Sequence, residues 1–175
     1  MSWVTDSVHS HIGFSVKHAM VSNVRGQFKS YRATTVVLDP QDFTRSSFAG
    51  EIDVASIETG NADRDAHLRN NDFFDAPNHP KITFQSTSIS AAGEGTYEVV
   101  GDLTIRGVTQ SVKLEVEYNG VAKNPYGQMV SGFSARGTIN RKDFGVSFNA
   151  ILDTGGVAVG EKVKLELDVE FSQQA

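Results

Sequence analysis

The sequence predicts an all-β protein of about eight antiparallel strands, closed into a barrel or stacked as a sandwich. Three observations carry this. Apolar and polar residues alternate with period two almost from end to end, turn-forming residues separate the alternating segments, and a single stretch breaks the pattern with helical character. Strand side chains point to opposite faces in turn, so such alternation marks a sheet with one buried and one solvated face.

Taken in order, Ile12, Phe14 and Val16 alternate with Gly13, Ser15 and Lys17, and a second segment spans Val24 to Leu38. Phe48, Ile52 and Val54 oppose Ala49, Glu51 and Asp53, with Gly50 on the apolar face. Ile82 and Phe84 follow, then Tyr97, Val99, Leu103 and Ile105, then Leu114, Val116 and Tyr118. Met129, Phe133 and Ile139 share a face with Ser131, Ala135 and Gly137. Val163, Leu165, Leu167, Val169 and Phe171 against Lys164, Glu166, Asp168 and Glu170 are the cleanest case. Ala92-Gly93-Glu94-Gly95, Arg106-Gly107, Tyr118-Asn119-Gly120 and Asn124-Pro125-Tyr126-Gly127 are hairpin material. No linker, repeat or composition break divides residues 1–175, which read as one domain. An open sheet of this size would expose two edges, hence the expected closure or stacking.

The interruption runs from Thr59 to Pro80. Asn61 suits a helix N-cap, Asp63 and Asp65 suit the positive end of the helix dipole, and Asp63–His67 and Asp65–Arg69 have i,i+4 spacing. A short helix is expected over about Ala62 to Asn70, with Asp63-Arg64-Asp65 as its capped, solvated start. Phe73 and Phe74 must then bury at the barrel end or mouth.

Composition excludes several functions. The net charge of −5 and a pI of about 5.5 argue against nucleic acid and against anionic lipid surfaces as partners. Without cysteine there is no disulfide, thiolate nucleophile or thiolate metal site. No apolar run is long enough for an integral membrane segment. Met1-Ser2-Trp3-Val4-Thr5-Asp6 lacks the marks of a secretory signal, so the cytoplasm is the expected compartment, or the periplasm or the cell exterior (a secreted protein) if a leader was removed.

Catalytic motifs are missing. There is no Gly-x-Ser-x-Gly elbow, and Thr154-Gly155-Gly156-Val157 lacks the Lys-Ser/Thr of a phosphate loop. The histidines (His9, His11, His18, His67 and His79) could form a metal-dependent enzyme site with Asp63 and Asp65, although no recognised ligand spacing is present. The inward faces favour a binding function. Large Phe14, Phe28, Phe48, Phe84 and Phe133 mix with small Gly26, Ser30, Gly50, Ser86, Gly101, Ser131 and Gly137. A barrel lined this way either keeps a slot for one ligand or seats bulky side chains on small ones. His18 continues the phase of Phe14 and Val16, as a ligand contact or a strand-end histidine bonded to backbone. Arg141 and Lys142 sit at a turn, where they either meet an anionic head group or are solvated.

Longer phrases carry a family resemblance. His9-Ser-His-Ile-Gly-Phe-Ser-Val-Lys-His18, Val24-Arg-Gly-Gln-Phe28, Thr59-Gly-Asn-Ala-Asp-Arg-Asp-Ala-His-Leu68, Asp72-Phe-Phe-Asp75, His79-Pro-Lys-Ile-Thr-Phe84, Gly101-Asp-Leu-Thr-Ile-Arg-Gly-Val-Thr109 and Ile139-Asn-Arg-Lys-Asp-Phe-Gly145 occur in order. Together they resemble the YceI-like family across essentially the whole chain. The resemblance implies an extended lipocalin-like antiparallel barrel of eight strands, with a helix beside or over it and dimers possible. It implies no catalytic cofactor, and a hydrophobic small-molecule ligand, a polyisoprenoid or quinone-type lipid, held in an apolar lumen. Phe14, Val16 and His18 would line that lumen, with Phe28, Phe48, Phe84 and Phe133. Ile52, Phe73, Phe74, Phe144 and Arg141 complete the expected ligand-binding set. His18, Arg64, His67 and Arg141 are candidates for meeting a polar head.

Overall fold

A computed structural model describes residues 2–149 and 158–174; the Thr-Gly-Gly-Val stretch at 154–157 lies outside them. The all-β antiparallel class holds, but the described residues form eleven strands where the pattern suggested eight. They are β1 (Ser2–Thr5), β2 (His11–His18), β3 (Ser22–Phe28), β4 (Tyr31–Val37), β5 (Ser47–Asp53), β6 (Ile57–Glu58), β7 (Lys81–Gly93), β8 (Thr96–Ile105), β9 (Val108–Lys123), β10 (Met129–Asn140) and β11 (Val159–Gln174). Among the described residues there is one α-helix, α1 (Ala62–Arg69), between β6 and β7.

The surplus has local causes. The expected segment from Val24 to Leu38 turns at Lys29-Ser30 and so counts as β3 and β4. The N-terminus adds β1 against β11, pairing Ser2 with Gln174 and Thr5 with Phe171. β6 is a two-residue pairing with Gln27 and Phe28. Tyr118-Asn119-Gly120 is not a hairpin. It is a β-bulge inside β9, where Tyr118 opposes Phe133 and Val121 opposes Ser131, leaving two residues facing one. Arg106-Gly107 is the expected tight turn, with φ of +51° and +75°, the left-handed values a type I′ hairpin requires.

All the strands join one curled sheet in the order β4-β5-β7-β8-β9-β10-β11-β2-β3-β6, with β1 on β11. The end strand β4 is tied to β1 by Ala33 N–H to Thr5 Oγ1 (3.0 Å), and around the β3–β4 turn Asp53 N–H to Ser30 O (2.9 Å) and Lys29 N–H to Ser56 O (3.2 Å) extend the β4–β5 and β3–β6 pairings. Inside the curl lie two apolar clusters. One gathers Phe28, Val54, Ile57, Phe73, Ile82, Leu103, Ile105, Phe144 and Val146; the other gathers Phe43, Ile89, Val99, Val116 and Ala135.

The helix is capped as expected, Asn61 accepting from Arg64 N–H at 3.0 Å. Its expected i,i+4 pairs are not what fixes it. Asp65 is buried, not solvated, and accepts from the backbone N–H of Thr59 at 2.9 Å. Arg64 donates to Thr59 Oγ1 and Thr59 O, both at 2.7 Å, and Arg69 donates to Ala55 O at 3.1 Å. These bonds fasten α1 to the segments flanking β6, because a helix this short has little stability of its own. Among the described residues no helix is long and apolar enough to cross a membrane.

Candidate functional site

The inward faces of the strands and the helical connection line a partly open cavity of about 280 Å³. Its wall is apolar because of register. Ile12, Phe14 and Val16 on β2 stand opposite Leu167, Leu165 and Val163 on β11, and all six line the space. Phe84 on β7 stands opposite Leu103 on β8, and both line it together with Ile82 and Ile105. Water gains no adequate set of partners in such a space, which suits an apolar occupant.

Of the expected ligand-binding residues, Phe14, Val16, Phe28, Phe48, Ile52, Phe73, Phe74, Phe84, Phe133, Phe144 and Arg141 all line the cavity. His18 does not. It is exposed at the last position of β2, opposite Ser22 and Val159, past the last lumen-lining side chain of that strand. Phe73 and Phe74 close one end with Leu68 of α1, held by Phe74 N–H to Leu68 O (3.0 Å) and Arg106 Nη1–H to Phe73 O (2.8 Å). The Phe74 ring meets Phe28 edge-on at 6.1 Å.

The lining also includes a residue the alternation could not nominate. Phe43, 2% exposed, sits in a short 3-10 turn capped by Asp42, outside any strand. Its ring stacks on Tyr118 at 4.4 Å and 9° and meets Tyr97 edge-on at 4.8 Å. An isolated phenylalanine in the polar stretch Pro40 to Arg45 was the only signal for it. Tyr118 is anchored in turn near Ser131 (3.1 Å), whose hydroxyl donates to Gly120 O at 2.7 Å.

The small residues take different roles. A Cβ on Gly26 would overlap the ring of Phe14, and one on Gly101 would overlap Phe84, so each glycine seats the ring on its neighbouring strand. Ser86 Oγ accepts from Phe48 N–H at 2.9 Å. Ser30 is exposed in the β3–β4 turn, where it hydrogen-bonds to Asp53, and does not face inward because the strand breaks there.

The polar-head candidates do not gather at a mouth. Arg64 is committed to Thr59, and His67 Nε2 pairs with Asp72 at 2.8 Å while its ring packs between Phe73 and Phe148. Arg141 is 6% exposed and reaches the cavity, but its guanidinium donates to Gly160 O (2.7 Å), Val146 O (2.8 Å) and Val159 O (3.3 Å). It is a clamp on the start of β11, not a free cation or a solvated loop residue. Burial pushes its pKa down, and nearby Glu161 opposes that shift.

The residues considered for a metal-dependent site are dispersed. His9 lies with Asp6 (2.8 Å) and Glu170 (3.4 Å), His11 is exposed on β2, Asp63 is exposed on α1, Asp65 is buried beside Thr59, and His67 faces Asp72. Asp6 raises the His9 pKa by hydrogen bonding, and the Asp6 carboxyl is lowered by the same bond. Glu170 is shifted up, chiefly by desolvation. This trio ties the N-terminal segment to β11.

A curled antiparallel sheet around an apolar lumen, with a helical connection at one end and an aromatic stack at the other, defines the class of protein. The chain belongs to the YceI-like family, whose domain model matches residues 3–171. It is 48% identical over 170 residues to a UPF0312 protein of Staphylococcus epidermidis, and 44% over 168 residues to one from Staphylococcus aureus, with 95% of either chain covered in both comparisons. Among solved structures it is similar to BcnA of Burkholderia cenocepacia, with a TM-score of 0.80 and 30% identity over 95% of this chain and 98% of that one. The Campylobacter jejuni YceI protein gives 0.76 and 32% over 91% and 90%. A polyisoprenoid binding domain from Saccharophagus degradans implicated in plant cell wall breakdown shares the fold at a TM-score of 0.71 and 12% identity, covering 99% of both chains.

Proposed function

We propose that the chain is a non-enzymatic carrier or sequestering protein that holds the prenyl chain of a polyisoprenoid or quinone-type lipid in its lumen. The observation that carries this is the cavity of about 280 Å³ inside the curled sheet, walled mainly by phenylalanine, leucine, isoleucine and valine side chains. Each CH₂ moved from water into such a wall contributes about 0.8 kcal/mol. Branched, unsaturated isoprene units suit a space between aromatic rings. Among the described residues Arg141 is the one charged side chain in the wall whose head is buried, and backbone carbonyls occupy it, so the interior favours a neutral chain over a charged group. The fold shared with a domain described as polyisoprenoid binding supports the same ligand class.

Competition tests the reading. An apolar fluorophore such as 1-aminoanthracene, preloaded into the protein, is titrated with farnesol. Displacement in the micromolar range is expected for the parent chain, with loss of both fluorophore and farnesol binding in Phe133→Asp, provided circular dichroism shows a folded sheet. Unchanged farnesol binding in a folded Phe133→Asp protein would overturn the lumenal site.

A further inference from the structure

Three neighbouring strands carry cations toward one turn. Lys17 on β2, Arg25 on β3, and Lys162 and Lys164 on β11 are exposed on the outer face of the sheet, out of phase with the cavity-lining Val16, Val163 and Leu165. Arg25, Ser15 and Lys164 stand in one row across β3, β2 and β11, and Lys17 lies one row nearer the turn that joins β2 to β3. Among the described residues none of the four takes part in an ion pair. Of the carboxylates on this part of β11, Glu161 is held by Lys142 at 2.8 Å, and Glu166 lies one row further from the turn, between Gly13 and Arg136.

The turn itself offers apolar side chains to water, Met20 being 63% exposed and Val21 84%. Val21 N–H to His18 O (3.1 Å) closes it, with Ala19 and Met20 at φ of +48° and +62°. Asparagine and glycine take these left-handed values readily, whereas alanine and methionine do not, so the chain gives up stability to hold methionine at this apex. Such strain points to a use for the residue that bears it. Val8, 85% exposed at the other end of β2, has the opposite setting, its N–H donating to the Asp6 carboxylate.

Apolar side chains ringed by unpaired lysine and arginine are complementary to an anionic bilayer, the cations meeting headgroups while the apex enters the acyl boundary. The net charge of −5 that speaks against such surfaces belongs to the whole chain. An exposed charge acts over a Debye length of about 8 Å, so the local cations decide. We infer that the β2–β3 turn docks the protein on anionic phospholipid bilayers, with Met20 and Val21 in the interface and Lys17, Arg25, Lys162 and Lys164 on the headgroups. Val159 pairs with His18 and lines the cavity, so a docked bilayer meets the end of the sheet where that wall begins. The inference goes beyond lumenal binding and stands or falls separately from it.

Vesicle flotation tests it. The parent chain should float with vesicles of equal parts phosphatidylglycerol and phosphatidylcholine, and stay behind with phosphatidylcholine alone. Each cation near an anionic surface contributes about a fivefold factor in affinity, so Lys162→Gln combined with Lys164→Gln should weaken binding about 25-fold. Met20→Gly should weaken it about tenfold while unfolding no earlier than the parent, which separates docking from damage to the fold. Tyr126→Ser removes an exposed ring in the β9–β10 turn, at the far end of β10, and should change nothing. Affinity unmoved by Met20→Gly and by the lysine pair overturns the inference, as does equal binding to phosphatidylcholine alone. A parent chain that stays off both vesicles overturns it too, and if that chain sediments as a dimer split by Met20→Gly, a second copy covers the turn instead. Neither Met20 nor the two lysines line the lumen, so farnesol should displace the fluorophore alike from parent and variants. Loss of that displacement throughout counts against the lumenal reading alone.

Discussion

Replacing Arg141 by methionine should destabilise the protein through the carbonyls it leaves behind. In the parent, the guanidinium satisfies Gly160 O at 2.7 Å and Val146 O at 2.8 Å, with a weaker bond to Val159 O at 3.3 Å. With Arg141 only 6% exposed, water reaches these acceptors poorly once the side chain is gone. Each orphaned buried acceptor costs about 1–3 kcal/mol. Two short bonds therefore give about 2–6 kcal/mol, reduced because methionine also removes the burial penalty of an unpaired guanidinium. A net loss of about 2–4 kcal/mol is expected, which lowers Tm by roughly 5–15 °C in a chain of this size. Urea unfolding followed by circular dichroism measures it. Arg141→Lys should recover less than half, since an ammonium cannot span carbonyls that the planar fork reaches together. A methionine variant within about 0.5 kcal/mol of the parent, or full recovery by lysine, would refute the clamp.

Other outcomes follow from the same structure. The His9 pKa is raised from 6.5 by Asp6, so the stability this bond contributes is complete below about pH 6.5 and lost as pH rises through the folded-state value; the Asp6 pKa is lowered from 3.8, so its share is present above that pH and lost on acidification. The Tm difference between the parent and His9→Gln should therefore be larger at pH 5.5 than at pH 8.5 by differential scanning calorimetry, and equal differences would refute the tie. Met20, 63% exposed, has φ of +62° beside Ala19 at +48° in the turn closed by Val21 N–H to His18 O (3.1 Å). Met20→Gly relieves this left-handed residue and should raise stability by about 1 kcal/mol in the same unfolding assay. Gly101→Val must displace the Phe84 ring and should cost about 1–3 kcal/mol, whereas a change below 0.5 kcal/mol would show the ring was not seated there.

Alternation carried the class of fold and most of the lumen wall, because it records which face each strand buries. It could not carry register. That Phe14 crosses Gly26, and that Phe84 crowds Gly101, depends on which strands lie side by side. The break at Lys29-Ser30 left the period intact, so β3 and β4 read as one segment. Phe43 was illegible because a lone ring in a loop has no period. Arg141 was legible as a lining residue but not as a clamp, since its partners are carbonyls up to nineteen residues away that carry no side-chain signature. His18 followed the phase of β2 correctly and still missed the lumen, because phase says nothing about where along the strand the cavity ends.

The most direct test of the central claim is native mass spectrometry of the protein as purified from a prenyl-lipid-producing cell, followed by organic extraction and identification of what is released. One neutral prenyl lipid per chain, lost in Phe133→Asp, is the expected result. A protein of bare polypeptide mass that takes up no prenyl alcohol on incubation would contradict the account.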